Sequence, residues 1–294
     1  MLFLALSILS SSLISVVFKL IGRSKIHTFT AIVINYFAAC LAGFFLSSSN
    51  PYTFSLFQEK WFPLALIVGV MFIILFYLIG KSTQKAGIAV TNVAVKMSVV
   101  FPITFSIWLD VSDMLTALKI TGIFLALVSV LLTVYRKSES KFDSRTILLP
   151  AFLFMGMGVV DSFVKYAQSL YITNEFTPIF SSVVFAISLV VGIIILPFNR
   201  QAVICIKKPM AWLLGIILGL ANFGSMYFLI LALNYVDIST GAQTTGSVVF
   251  GINNIGIVAL TVIIGFLFFQ ERPSRINWVG ISLSGAAILV LSVS

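Results

Sequence analysis

Ten long apolar runs constrain this chain more than any other feature of its sequence. A bilayer core about 30 Å thick is spanned by about 20 mainly apolar residues in a helix. Only 9% of the residues are charged, against about 25% in a soluble domain. A soluble enzyme, a disordered chain and a nucleic-acid-binding domain are therefore excluded. The sequence predicts an all-α polytopic membrane bundle of ten transmembrane helices, at 2–21, 28–47, 62–80, 86–109, 114–135, 147–168, 177–198, 210–233, 239–269 and 277–293.

The first run could be taken for a signal peptide, and the ninth could be an interrupted helix. The first begins Met1-Leu2-Phe3-Leu4 without basic residues and is followed by no small-residue cleavage site, so we expect a retained helix and not a signal peptide. The ninth run is long for one span. Because it is rich in glycine and asparagine, we expect a tilt, a kink or a break within it.

The basic residues predict the orientation of the chain. Thirteen Lys and Arg lie in the odd-numbered gaps between runs, whereas the even-numbered gaps hold only Lys60. Positively charged loops stay in the cytoplasm. The sequence therefore predicts a multi-pass protein of the cell inner membrane, with cytoplasmic odd-numbered loops and both termini outside. The net charge of +9 follows from this orientation, and no nucleic-acid partner is expected.

The polar gap at 135–145 divides the ten runs into five and five, at 1–138 and 144–294. Short matches recur in the same order in both halves, such as Phe18-Lys19 with Val164-Lys165. An odd number of helices in each half places the halves in opposite orientations. This arrangement is an inverted repeat, which is typical of transporters with a binding site near the membrane midplane.

The chain resembles the drug/metabolite transporter superfamily, in particular ten-helix proteins with two EamA domains. The resemblance rests on the stretch from Val258 through Phe268-Phe269-Gln270-Glu271-Arg272 and on the glycine and small residues of the last helix. A Lys late in the first helix of each half, here Lys19 and Lys165, is also typical of the family. The resemblance implies a secondary carrier that exports amino acids or related metabolites.

Asp161 is the one carboxylate well inside a predicted span, and Lys165 follows one helical turn later. A charge at the bilayer centre costs about 2.5–3.5 kcal/mol on insertion scales, so each one needs an explanation. One interpretation is an ion pair that neutralises itself and fixes the helix in the bundle. The other is a carboxylate that carries a coupling proton or balances the charge of a solute during transport.

Lys96 lies ten residues into the fourth predicted span, about 15 Å deep, which is too deep for its side chain to reach the interface. Asn92 lies one turn earlier on the same face. Lys96 either bonds to backbone carbonyls freed near Pro102 or serves as a cation in a central cavity that binds an anionic or zwitterionic solute. Asn253 and Asn254 either line such a cavity or hydrogen-bond across helices.

Other polar and small residues predict packing. Asn222 and Gln168 are expected to connect helices, and Gly215 with Gly219 predicts close helix contact, either within the bundle or in a homodimer. The sequence contains no nucleotide-binding, zinc-protease or CxxC motif, so we expect no cofactor, no metal site and no enzymatic activity. The candidate functions are a gradient-driven carrier of a small-molecule solute and, as the alternative, a non-transporting scaffold or lipid-acting membrane protein.

Overall fold

The computed structural model describes residues 2–47, 57–101, 116–134, 144–172, 175–235 and 246–292, and within these ranges all regular structure is helical. Two 3₁₀ turns, Met97–Val99 and Leu196–Phe198, follow directly on the α-helices Ile88–Lys96 and Thr177–Ile195. The α-helices in chain order are α1 Leu2–Arg23, α2 Thr28–Leu46, α3 Phe62–Lys85, α4 Ile88–Lys96, α5 Ala117–Val134, α6 Ser144–Tyr171, α7 Thr177–Ile195, α8 Arg200–Cys205, α9 Pro209–Leu233, α10 Gly246–Phe269 and α11 Arg275–Ser292.

Seven helical segments in the described ranges are long and apolar enough to cross a bilayer. The chain is therefore a multi-pass helical membrane protein. Three further predicted spans coincide with shorter apolar helices, Ile88–Val99, Ile120–Thr133 and Arg275–Val290, so the count of ten stays a prediction. The seven segments are Leu2–Arg23, Thr28–Leu46, Phe62–Lys85, Leu148–Tyr171, Thr177–Phe198, Pro209–Leu233 and Ile252–Phe269.

The ninth predicted span is a continuous helix wherever it is described. Helix α10 runs from Gly246 to Phe269 without interruption, so the expected break does not occur in that range. The first part of the predicted span, 239–245, lies outside the described residues, as does Pro102.

The chain forms two compact units, and each is built from two separate stretches of sequence. Unit 1 comprises Met1–Lys81 and Phe163–Tyr235, and unit 2 comprises Ser82–Ser162 and Val236–Ser294. Each unit thus takes segments from both predicted halves, 1–138 and 144–294. A division by spatial contact does not test a repeat that was inferred from sequence, and the repeat stays a prediction.

In unit 1, helix α9 packs against α1 and α2, and α2 also packs against α7. Small residues permit the contact of α9 with α2, since a Cβ added to Gly215 would lie 2.6 Å from Ile34 Cβ. Asn222 Nδ2 donates a 3.2 Å hydrogen bond to Asn35 Oδ1 across the same interface. The predictions for Gly215 and Asn222 are therefore confirmed, and the small-residue face serves packing within the chain.

In unit 2, helix α5 packs against α11, and α4 packs against α10. Asn277 Nδ2 donates a 2.8 Å hydrogen bond to the backbone oxygen of Thr133, joining α11 to the end of α5. The core of this unit is aliphatic and includes Val93, Met97 and Val262. Helix α4 is thus held on three sides, since α5, α10 and α11 all contact it.

Candidate functional site

Lys96 marks a change of helix type inside an apolar segment. It is the last residue of α4, and Met97–Val99 continue the chain as a 3₁₀ turn. A 3₁₀ stretch within a longer helical segment often marks a functional hinge. Unpaired carbonyls at a helix C-terminus attract a cation, which explains why a lysine can end α4 here. The lysine side chain is partly buried.

The 3₁₀ turn after α4 places Ser98 beside Asp161 of α6. Ser98 is fully buried, and its hydroxyl donates a 3.0 Å hydrogen bond to Asp161 Oδ2. The same hydroxyl lies within hydrogen-bond distance of the backbone oxygen of Val95. A serine hydroxyl has one proton and two lone pairs, so it can donate to only one of these acceptors at a time.

This arrangement allows the serine to respond to the state of the carboxyl group. An ionised Asp161 accepts a hydrogen bond from the Ser98 hydroxyl. A protonated Asp161 can instead donate to Ser98 Oγ, whose own proton then turns to Val95 O. The three groups can therefore hold or release one proton without leaving a buried polar atom unpaired.

Lys96 and Asp161 interact electrostatically within unit 2, and Lys96 is the cation whose charge acts on the aspartate. Lys165, which belongs to unit 1, has a different partner. Its Nζ donates a 3.1 Å hydrogen bond to Gln168 Oε1, and Gln168 Nε2 donates to Asn234 Oδ1 at 3.0 Å. Gln168 connects α6 to the end of α9, as predicted. The ion pair between Asp161 and Lys165 was one of the two interpretations of these residues, and it stays a prediction. The described hydrogen bonds join Asp161 to Ser98 and Lys165 to Gln168.

The three asparagines predicted to bind substrate have different environments. Asn254 Nδ2 donates a 3.4 Å hydrogen bond to the backbone oxygen of Lys96, so α10 contacts the end of α4 at this point. Asn253 is buried, and its Oδ1 has no hydrogen-bond partner. Asn92 Nδ2 donates to Ile88 O in its own helix at 3.0 Å. The structure therefore brings together Lys96, Asp161 and Asn254.

Two residues of this region were not predicted from the sequence. Ser98 could not be predicted because a serine in an apolar run has no distinctive pattern. Glu271 was predicted only as part of a family motif, although its carboxylate binds the N-terminal end of α4. The Ile88 N–H donates to both of its carboxylate oxygens, at 2.9 Å and 3.0 Å, and Ala89 N lies 3.5 Å from Oε2.

The local backbone explains why the carboxylate of Glu271, distant in sequence, caps the N-terminus of α4. The N-cap residue of α4 is Gly87, with φ of 103°, and it has no side chain that could accept from the first helical N–H groups. Glu271 N donates to Gly265 O at 3.0 Å, which fixes the loop after α10. A Cβ added to Gly87 would lie only 3.0 Å from Glu271 Oε2, so the glycine also makes room for the carboxylate.

Comparison with known proteins gives a fold and no activity. No family model matches the sequence. A protein of Haemophilus influenzae described as uncharacterized is 27% identical over 294 residues, covering 98% of this chain and 96% of that protein. Among the solved structures that match, a crystal structure of a protein has a TM-score of 0.63 at 14% identity, over 98% of this chain and 94% of that one. The shared fold extends along nearly the whole chain.

Proposed function

We propose that this protein is a secondary carrier that moves a small polar metabolite, such as an amino acid, across the cell inner membrane by alternating access. The observation that carries the proposal is the cluster of Lys96, Ser98 and Asp161 at the change from α-helix to 3₁₀ turn. Ionisable groups within apolar helices are costly and mark solute or proton pathways. Interrupted helices are also a recurring feature of carrier binding sites.

Helix packing within the units supports the inverted repeat on which this proposal rests. In the ten-span numbering, spans 2 and 7, 4 and 9, and 5 and 10 would be repeat equivalents. These pairs correspond to α2 with α7, α4 with α10, and α5 with α11, and the members of each pair contact one another. Elements near a pseudo-two-fold axis are expected to meet their own equivalents. Membership of the drug/metabolite transporter superfamily is part of the same proposal.

Each residue of the cluster has a role in the proposed cycle. Lys96 binds the anionic group of the solute, and Asn254 holds the backbone at the end of α4. Asp161 carries the coupling proton or balances the charge of the solute. Ser98 keeps that carboxyl group hydrogen-bonded in both states. Asn253, with its unpaired amide oxygen, is a further candidate for accepting a hydrogen bond from the solute.

Transport by reconstituted protein tests the proposal. Proteoliposomes are assayed for uptake and efflux of a panel of radiolabelled amino acids and small carboxylates, with and without a pH gradient. We expect at least one solute to move in the wild type, Lys96→Ala to abolish the movement, and Asp161→Asn to abolish its dependence on the gradient. Lys207→Ala, at an exposed lysine, is the matched control and keeps wild-type transport.

Two outcomes would contradict the proposal. A Lys96→Ala protein that transports as well as the wild type would remove the role given to the lysine. A wild type that moves no solute of the panel, while folded in the vesicles, would favour the alternative of a non-transporting scaffold or lipid-acting protein.

A further inference from the structure

A groove in unit 1 lies outside the cluster described above. It has a volume of about 280 Å³ and is formed by the start of α2, the second half of α3 and the end of α7. The lining includes Phe29, Ile74, Tyr77 and Ile195, and Asn199 supplies its one amide. Phe29 lies at the start of α2 and Ile195 is the last residue of α7, so this end of the groove lies at helix ends and therefore close to a membrane interface.

A cation lies beside this apolar lining. Lys81 is one turn beyond Tyr77 on α3, and its Nζ lies 5.6 Å from the centre of the tyrosine ring, which is cation–π distance. Among the described residues, no carboxylate forms an ion pair with Lys81. Near Lys81, Asn199 Nδ2 lies 3.4 Å from His27 Nε2, and His27 Nδ1 is buried without a hydrogen-bond partner.

An apolar groove that ends at an unneutralised cation matches the chemistry of one kind of ligand. An acyl chain fits the groove, and a phosphate fits the cation. The volume is just below the range of about 300–1,000 Å³ for small-molecule sites, which suits a segment of one chain and not a whole lipid. Basic pockets between helices at a membrane surface bind anionic headgroups.

We propose that this groove is a binding site for an anionic phospholipid, with one acyl chain against Ile74 and Tyr77 and the headgroup phosphate at Lys81. Asn199 lines the groove and can donate a hydrogen bond from Nδ2 to a headgroup oxygen, and His27 lies beside it. The groove belongs to unit 1, whereas Lys96, Ser98 and Asp161 belong to unit 2.

His27 provides a local reporter, because it is the only histidine of the chain. Partial burial and the charge of Lys81 lower its pKa from the ordinary value of 6.5. Besides Lys81, the imidazole has Asn199 Nδ2 at 3.4 Å from Nε2, and the His27 backbone N–H donates to Cys205 Sγ at 3.3 Å. A phosphate bound at Lys81 offsets the lysine charge, so it should raise the pKa of His27.

The experiment uses the full chain in nanodiscs of neutral phosphatidylcholine, with and without phosphatidylglycerol. Native mass spectrometry measures which lipid is retained, and NMR of labelled His27 measures its titration. We expect the wild type to retain phosphatidylglycerol about fivefold more strongly than phosphatidylcholine, the effect of one lysine near a membrane surface. Phosphatidylglycerol should also move the His27 titration to higher pH.

Two variants and one soluble probe separate the parts of the site. Lys81→Gln should abolish the preference, and Ile74→Trp should abolish it by filling the groove while Lys81 is intact. Lys207→Gln, at an exposed lysine, should keep it. Equal retention of both lipids by the wild type would overturn the proposal, as would full preference in Lys81→Gln. Glycerol phosphate that shifts His27 as far as the lipid does would show that the acyl groove is not used.

Discussion

The carboxylate of Glu271 should determine the stability of the first turn of α4. Two oxygens of one side chain accept from Ile88 N at 2.9 Å and 3.0 Å, with a longer contact to Ala89 N. A hydrogen bond to a charged group contributes about 1.5–3 kcal/mol, and a carboxylate at a helix N-terminus also interacts favourably with the helix dipole. Glu271→Ala should therefore destabilise this turn by about 2 kcal/mol.

Glu271→Gln should cost about half as much, since an amide oxygen still accepts one hydrogen bond but carries no charge. A loss of about 2 kcal/mol corresponds to about a 30-fold larger local opening equilibrium. The effect matters for Lys96, because α4 is only nine residues long. The lysine then lies about 12 Å from the capped end, on a helix whose position depends on that cap.

Hydrogen exchange of the Ile88 and Ala89 amides measures the effect directly in detergent or nanodiscs. We expect both amides to exchange faster in Glu271→Ala, less so in Glu271→Gln, and at the wild-type rate in Glu59→Ala. Glu59 is exposed, so it provides the matched control. Unchanged exchange of Ile88 in Glu271→Ala would refute the capping argument, because no other described side chain accepts from that N–H.

Three further predictions concern packing, the buried serine and pH. Gly219→Ala should lower the free energy of unfolding, since its new Cβ would lie 2.7 Å from Ala38 Cβ. Gly285→Ala meets nothing within 4 Å and should raise the free energy of unfolding by about 0.5–1 kcal/mol. Changes of the same sign for both variants in steric-trapping measurements would contradict this prediction. Ser98→Ala should cost about 1–3 kcal/mol by leaving Asp161 without its hydrogen bond, against about 0.5 kcal/mol or less for the exposed control Ser169→Ala. The pKa of His27 lies below 6.5 in the folded protein, so the unfolded chain takes up a proton at higher pH than the folded chain does. The free energy of unfolding should therefore fall as the pH drops below 6.5. The same pH dependence in His27→Gln would show that another group is responsible.

The sequence by itself determined that this protein lies in a lipid bilayer, and it predicted most of the helices. Apolar runs of about 20 residues can satisfy their backbone in a bilayer only as helices, so α1, α2 and α9 were predicted to within a few residues. The contacts of Gly215 and Asn222 were also predictable, because small and amide residues in an apolar run have few uses other than close approach and hydrogen bonding.

Only the tertiary structure decided which polar groups meet. Sequence spacing pairs Asp161 with Lys165, one turn away on the same helix, whereas folding places Ser98 against Asp161 across 63 positions and Glu271 against Ile88 across 183. Periodicity along one helix reports which residues share a face, but it holds no information about the neighbouring helix. Which helix becomes the neighbour depends on how small residues and side-chain volumes let helices approach one another, and this is decided only by the packing of all the helices.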